Sequence, residues 1–365
     1  MQHCLGLLDS YSFDEPFHLY LAQAFKTQRG WGSRDRKRYR RWCYTYFKFS
    51  HIDTQSWPHQ LSEEALIIAL LASPSTLEDE RNAMLGWGYS QKTSTTEFKP
   101  FDSNFSKGVD PIEYYHWFQQ EPPVFVRRLK PWKSDFPAPL NSVDDFYLKF
   151  APGTSLQHAQ ELGFCFIQDL GSQFSVQHEC FNSRIPLRVW DACCGAGGKS
   201  LQLSSQYKTV QLICSDTRKS ILDNLRSRFH SAHLPIPETF DFNPIKDPHS
   251  KWKGPESFDR IVLDVPCSGS GTWRRNPEEW HQFEPFKLEA LRPVQAELMN
   301  NCSTRLKAGG YLVYITCSVF QDENEKQVAD FLNSHPDFQL EEQGILGGPS
   351  QDADYLFRGI LKKIN

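Results

Sequence analysis

From Arg184 onward, short runs rich in β-branched and aromatic residues alternate with stretches whose apolar residues recur at helical spacing. This is the pattern of parallel strands joined by crossover helices, and it restricts the fold more than anything else in the chain. It predicts strands at Leu187–Asp191, Val210–Cys214, Thr239–Phe242, Arg260–Asp264 and Tyr311–Thr316, with two more near Phe338–Leu340 and Tyr355–Leu361. Helices are expected over Ser200–Gln206, Lys219–Ser231, Leu288–Leu306 and Asp322–Ser334. The expected fold class is α/β: a Rossmann-like, doubly wound sheet of seven mostly parallel strands. Ligands of such a sheet sit beyond the carboxyl ends of its strands.

The 365 residues exceed what one hydrophobic core organises, so further units are expected ahead of the sheet. We divide the chain into a helical N-terminal region (1–90), a polar linker (91–121), an intermediate subdomain (122–183) and the sheet domain (184–365). Phe17 to Trp87 carries apolar clusters at helical spacing, with breaks near Gly30-Trp31-Gly32, Trp57-Pro58 and Pro74. The apolar run Ala65–Ala72 is too short to span a bilayer and reads as a core helix. Within this region Ser33 to Trp42 holds one acid among many cations, and Arg38, Arg40 and Arg41 are its candidate RNA-facing residues. A solvated helix face is the plainer reading; interleaving by Tyr39, Trp42, Tyr44, Tyr46 and Phe47 favours nucleic acid. A second basic stretch, Arg127 to Lys133, suits either phosphate contacts or a charged edge strand.

The net charge of −4 excludes a uniformly cationic binder and leaves room for local patches. Ten cysteines without a regular framework, and no secretory signal at the N-terminus, point to free thiols in a reducing, cytoplasmic setting. There is no Cys-x-x-Cys pair, and adjacent Cys193 and Cys194 do not have metal-ligand spacing, so no metal is expected.

The first predicted strand ends in Asp191-Ala192-Cys193-Cys194-Gly195-Ala196-Gly197-Gly198-Lys199-Ser200, a glycine-rich turn into a helix. A phosphate-cradling loop would need glycine where Cys193 stands, and a dinucleotide fingerprint would need it where Ser200 stands. Neither pattern is met. What remains is a backbone cradle followed, after the next strand, by Asp216, whose carboxylate can accept both ribose hydroxyls of a nucleoside cofactor. Asp241, in the third strand, is placed to accept from an adenine amino group. Without such a ligand these are ordinary loop acids.

Cys267 and Cys317 fall just past two core strands, at the ligand edge, beside carboxylate and hydroxyl residues. Most free cysteines are small core residues, but these settings are not core-like. Here the chain resembles a known family. Asp264-Val265-Pro266-Cys267-Ser268-Gly269-Ser270-Gly271-Thr272-Trp273-Arg274-Arg275-Asn276-Pro277, with Thr316-Cys317-Ser318 and Glu323-Asn324-Glu325, resembles the signature segments of the RsmB/Sun family of S-adenosylmethionine-dependent RNA (cytosine-5) methyltransferases. Asp191 to Lys199 resembles that family's cofactor loop, and the likeness runs over roughly residues 122 to 365. Gly32 to Arg36 is more weakly similar to its N-terminal RNA-binding region.

The resemblance implies S-adenosylmethionine as cofactor and an RNA substrate, ribosomal RNA first and transfer RNA as the other choice, for a monomer with no membrane partner. Cytosine C5 is a poor nucleophile, so a thiolate must first add at C6 to make C5 an enamine carbon. By the resemblance Cys317 is that nucleophile, Cys267 assists release, and Asp264 contacts cofactor and base. Cys193, Cys194, Gly195, Ala196, Gly197, Gly198 and Lys199, with Asp216, Asp241 and Asp264, would hold the cofactor. Arg274 and Arg275 would meet phosphates beside the flipped base. A helix starting near Asp322 would favour a thiolate at Cys317, with Asp322 and Glu323 opposing it. Two other readings are a DNA cytosine-5 methyltransferase attacking through Cys267, and a catalytically silent RNA-binding scaffold.

Overall fold

The computed structural model describes residues 1–28, 30–49, 62–73, 76–86, 104–142, 146–247 and 251–365. Packing divides the chain into one unit of Met1–Pro100, Ile112–Glu121 and Trp273–Phe283, and a second of Phe101–Pro111, Pro122–Thr272 and Glu284–Asn365. The breaks expected at Trp57-Pro58 and Pro74, and linker residues 91–103, lie outside the described residues. No helix among the described residues is long and apolar enough to cross a membrane.

The first unit is helical: α1 (Gln2–Asp9), α2 (Phe17–Thr27), α3 (Ser33–Phe49), α4 (Glu63–Ala72), α5 (Glu78–Gly86) and α6 (Pro111–Gln119). Helix α6 occupies what the sequence suggested was linker, and its Tyr114, Trp117 and Phe118 are buried. The Ser62 hydroxyl caps α4 by accepting from Ala65 N–H at 3.1 Å, and Leu66, Ile67, Leu70 and Leu71 enter the core.

Helix α3 divides along its length. Trp42, Tyr46 and Phe47 are buried with Phe17 and Leu21, so rings expected to interleave with nucleic acid serve this core instead. Glu80 of α5 takes two hydrogen bonds from Arg41 at 2.6 and 2.5 Å and lies 3.4 Å from Arg38. Arg38 and Arg40 are exposed.

At the end of α3, Lys48 is 6% exposed and donates to the Gln120 carbonyl at 2.6 Å. Burial, aided by the positive charge of Arg274 and opposed by Glu121, lowers its pKa to about 7. Unfolding restores an ordinary lysine, so between about pH 7 and 10 the unfolded chain binds more protons and folded stability rises with pH. The cost is greatest at the acid end of that window. Lys48→Met should therefore raise the melting temperature at pH 7, by an amount worth roughly 2 kcal/mol after the lost hydrogen bond is deducted. That advantage should shrink towards pH 10. A constant difference between the two proteins across this range would exclude the buried charge as its source.

The second unit opens with a four-stranded sheet ordered β2-β3-β1-β4, from β1 (Val124–Arg128), β2 (Asn141–Ser142), β3 (Tyr147–Phe150) and β4 (Cys165–Ile167). Strand β1 is interior, not an edge. Arg127, 2% exposed, lies 5.1 and 5.3 Å from the rings of Phe146 and Tyr147. Short helices α7 (Gln157–Glu161) and α8 (Leu170–Ser175) accompany the sheet.

The main sheet has seven strands: β5 (Leu187–Asp191), β6 (Val210–Asp216), β7 (Glu238–Asp241), β8 (Phe258–Asp264), β9 (Leu306–Thr316), β10 (Phe338–Gly348) and β11 (Ala353–Lys363), ordered β7-β6-β5-β8-β9-β11-β10. The five strands from β7 to β9 pair in parallel; β11 and β10 add antiparallel. Between them run α9 (Gly198–Gln206), α10 (Lys219–Ser231), α12 (Phe286–Ser303) and α13 (Glu325–Ser334), while α11 (Pro277–Gln282) belongs to the helical unit. Because residues alternate between faces, Trp190, Leu263, Leu312 and Tyr314 fill one core while Val189, Val262, Val313 and Ile315 fill the other. Covering both faces is why these strands read as unbroken apolar runs.

Candidate active site

Strand order brings Asp191, Asp216 and Asp264 to one edge, since β5 lies between β6 and β8 and each ends in aspartate. After β5 the chain turns into α9 through Gly195 (φ 51°) and Gly197 (φ 78°), both in the left-handed region. A Cβ on Gly197 would stand 2.7 Å from Leu225 Cγ. The turn is fastened to β6 by Cys194 N–H donating to the Ser215 carbonyl at 3.0 Å and by Gly195 N–H donating to Asp216 at 3.1 Å.

The three carboxylates differ in their partners. Buried Asp191 accepts from the Ser200 hydroxyl at 2.5 Å. Burial, with the charge of Asp264, raises its pKa to about 7. Asp216 accepts at one oxygen from the backbone N–H and Nε of Arg218, at 3.0 and 3.1 Å. Arg218 is mostly exposed, so a ligand hydroxyl can displace its guanidinium. Asp264 pairs with Lys199 at 2.7 Å. Burial alone would lower the Lys199 pKa, but the charge and hydrogen bond of Asp264 outweigh it and hold the ammonium form.

A cavity of about 780 Å³ opens on this edge, lined among others by Cys193, Gly195, Asp216, Asn243, Ile245, Asp264, Cys267, Leu298 and Cys317. Asp216, Asp264 and Glu297 share this lining with Arg218 and Lys246, and with apolar Ile245, Val294 and Leu298, a mixed wall that suits a polar nucleoside. Asp241, expected to reach the cofactor, is exposed and does not line the cavity. The wall beyond β7 is instead built by Asn243, Pro244, Ile245 and Lys246, where Asn243 accepts from the backbone of Ile245 at 2.9 Å. Asn243-Pro244 is a turn signal already legible in the sequence, and it marks this wall.

Cys267 and Cys317 meet at the same edge, Sγ to Sγ 3.2 Å, and the Cys317 backbone N–H donates to Cys267 Sγ at 3.3 Å. Their loops are tied together. Gly271 N–H donates to the Cys317 carbonyl at 2.8 Å, Val319 N–H to the Ser270 hydroxyl at 2.9 Å, and the hydroxyls of Ser268, Ser270 and Ser318 lie 3.0–3.2 Å apart. Asn324, which sequence reasoning left without a role, bonds Thr316 at 2.5 Å and the Ser318 carbonyl at 2.9 Å. Helix α13 begins at Glu325, further from Cys317 than the Asp322 start that the spacing suggested.

The arginines after this motif lie in the helical unit. Arg274 is 1% exposed with its guanidinium 4.8 Å from the Trp117 ring, so it packs in that core and does not present itself to phosphate. Arg275 is exposed. Among the described residues, no group of three His, Cys, Asp or Glu could hold a metal ion.

Replacing Asp216 with alanine removes the acceptor while leaving the sulfur pair untouched. We expect affinity for S-adenosylmethionine to fall by roughly 10- to 100-fold, as for loss of hydrogen bonds to a charged group. Calorimetric titration with S-adenosylhomocysteine measures this, and an unchanged affinity would take Asp216 out of the cofactor site.

Residues 182–355 match the family described as 16S rRNA methyltransferase RsmB/F. The probable ribosomal RNA small subunit methyltransferase B of Coxiella burnetii is 33% identical over 189 residues, 51% of this chain and 43% of that protein. The ribosomal RNA small subunit methyltransferase B of Yersinia pseudotuberculosis is 30% identical over 211 residues, 56% of this chain and 48% of that protein. The chain thus spans about half the length of these curated relatives. In fold, the crystal structure of PH0851 is similar with a TM-score of 0.72 at 20% identity, covering 99% of this chain and 97% of its own. NSun6 from Pyrococcus horikoshii with SFG gives a TM-score of 0.51 at 17% identity, covering 83% of this chain and 95% of that one.

Proposed function

We propose that the protein methylates C5 of a cytosine in RNA, ribosomal RNA first, with S-adenosylmethionine as methyl donor, because residues 182–355 match the 16S rRNA methyltransferase RsmB/F family. The observation that carries this reading is the pair of sulfurs 3.2 Å apart at the rim of the cavity that the glycine loop and Asp264 also line. One thiol beside a cofactor suffices for attack; a second, in contact with the first, suits release of the same adduct.

Bound S-adenosylmethionine supplies an electrophilic methyl group, and the chain's own residues do the rest. Asp216 and the loop from Cys193 to Gly198 would hold the nucleoside part. Asp264, steadied by Lys199, would meet the polar edge of the base. Cys317 adds as thiolate to C6, which places electron density on C5 for methylation. Transfer of the C5 proton to solvent water then expels the Cys317 sulfur as thiolate, and Cys267, in hydrogen-bond contact, protonates it and is reprotonated from solvent.

The test is transfer of labelled methyl from S-adenosylmethionine to unmodified ribosomal RNA by the purified full chain, with the product base identified after digestion. Label in 5-methylcytidine is expected. No transfer to any unmodified RNA would favour a silent scaffold. For RNA capture, reversing exposed Arg38 and Arg40 to Glu should weaken binding about tenfold and flatten its salt dependence. Equal salt slopes for variant and parent would mark α3 as a solvated face.

A further inference from the structure

Two adjacent residues just ahead of α13, Glu323 and Asn324, are fully buried and hold the two cysteine loops. Glu323 reaches the loop of Cys267: one side-chain oxygen accepts from the Ser268 backbone N–H and from Gln295 Nε2, each at 2.9 Å. The same Gln295 nitrogen donates to the Pro266 carbonyl at 3.0 Å, so the peptide groups on both sides of Cys267 are fixed. Asn324 reaches the loop of Cys317. Its side-chain oxygen accepts from the Thr316 hydroxyl at 2.5 Å and its nitrogen donates to the Ser318 carbonyl at 2.9 Å, which brackets Cys317 in the same way. The two residues are themselves anchored, since the Tyr314 hydroxyl donates to the Glu323 carbonyl and Asn324 to the Ser106 hydroxyl, each at 2.7 Å.

We propose that Glu323 and Asn324 are a pair of positioning residues that set the distance between the two sulfurs, each by gripping one cysteine loop. This rests on the two-cysteine reading above, in which Cys317 attacks and Cys267 protonates the departing sulfur. A single peptide joins the two grips, so the loops keep one register. Its outcome is the 3.2 Å between the sulfurs, with the Cys317 N–H donating to Cys267 Sγ at 3.3 Å. The grip of Glu323 needs an acceptor and not a charge, because a carboxyl, carboxylate or amide oxygen accepts the same two bonds. Reacting groups misplaced by about 1 Å can lose roughly 100-fold in rate. The two grips therefore fail differently. Loosening Glu323 frees Cys267 and slows release; loosening Asn324 frees Cys317 and slows attack.

The first measurement needs neither RNA nor cofactor. Phenylarsine oxide bridges two thiols that lie close together, forming two As–S bonds and losing water. In the full chain, peptide mapping should show Cys267 and Cys317 protected together from later alkylation at about one equivalent of reagent. Absence of that bridge in the parent protein overturns the proposal. In Glu323→Ala and Asn324→Ala the bridged fraction at this dose should fall at least about tenfold as two-point attachment is lost. Glu323→Gln, which keeps the acceptor, should bridge like the parent, and its failure to do so in a folded variant also overturns the idea. With RNA, Glu323→Ala should trap 5-fluorocytosine within about threefold of the parental rate yet accumulate adduct on ordinary cytosine, whereas Asn324→Ala should trap about tenfold more slowly. Equal losses of trapping and turnover in both variants would be simple destabilisation and would end the proposal. Where Asn324→Ala does not fold, Thr316→Val removes one of the same bonds and should show the same slow trapping. Bridging in a protein that transfers no methyl to any RNA would sink the proposed function and leave the grip on the loops standing.

Discussion

Cys317→Ala should abolish methyl transfer, with a loss of about 10⁴-fold or more, because the proposed reaction begins with addition of that thiolate and Cys267 serves release. The same variant should form no covalent complex with RNA containing 5-fluorocytosine, in which the missing C5 proton otherwise traps the adduct. Cys267→Ala should behave differently. Attack survives, release stalls, and a protein–RNA adduct should accumulate on ordinary cytosine RNA, visible as a slow band on a denaturing gel. The geometry makes the comparison decisive, since the sulfurs are 3.2 Å apart and either could reach the same carbon after a small rotation. If Cys317→Ala keeps the 5-fluorocytosine adduct while Cys267→Ala loses it, the roles are reversed and the chain works like a DNA cytosine-5 methyltransferase.

Gly271→Ala should be the most damaging methyl group that can be added near the site. Its Cβ would stand 2.0 Å from the Tyr355 carbonyl oxygen and 3.1 Å from that of Cys317, both backbone atoms that cannot rotate away. Gly271 also donates its N–H to the Cys317 carbonyl, so any shift that relieves the clash strains the bond between the two cysteine loops. Overpacking of this kind costs about 1–3 kcal/mol or more. The melting temperature should fall by roughly 4–10 °C, and methyl transfer should drop beyond what the lost folded fraction explains. Gly195→Ala is the useful contrast, because a Cβ there has nothing within 4 Å and faces only the left-handed backbone penalty. If Gly271→Ala melts with the parent, the loop contact is looser than its geometry indicates.

What was legible in advance was what periodicity and local chemistry encode. Leu187–Asp191 and Lys219–Ser231 match the structure at both ends, because each is a single run bounded by a clear turn signal. Cys267 and Cys317 come together as expected because strand ends in a parallel sheet share one edge. Residues whose setting depends on distant partners were not legible. Arg274 looked like a phosphate ligand until Trp117, far back in the chain, covered it. Arg127 lay in a basic stretch yet sits between two rings in an interior strand. Asp241 had the right position along its strand, but the wall it was meant to form is supplied by the turn that follows. Glu323 read as a local hindrance at a helix start, and only the fold shows it held by Ser268 and Gln295 beneath the other cysteine.

Segment 104–109 carries a practical lesson about boundaries. Ser106 N–H donates to the Val319 carbonyl at 2.8 Å, Gln321 N–H to the Asn104 carbonyl at 2.9 Å, and the Ser106 hydroxyl accepts from Asn324 at 2.7 Å. Asp169 likewise accepts from the backbone of Asp354 at 3.0 Å. The recognisable family segment begins at 182, yet the clamp on the Cys317 loop is threaded from residues well upstream. A fragment cut at 182 would keep every signature residue and still leave that loop with open donors and acceptors. The heritable motif and the mechanical part that works are thus different lengths of chain, and anyone transplanting this chemistry must carry the longer one.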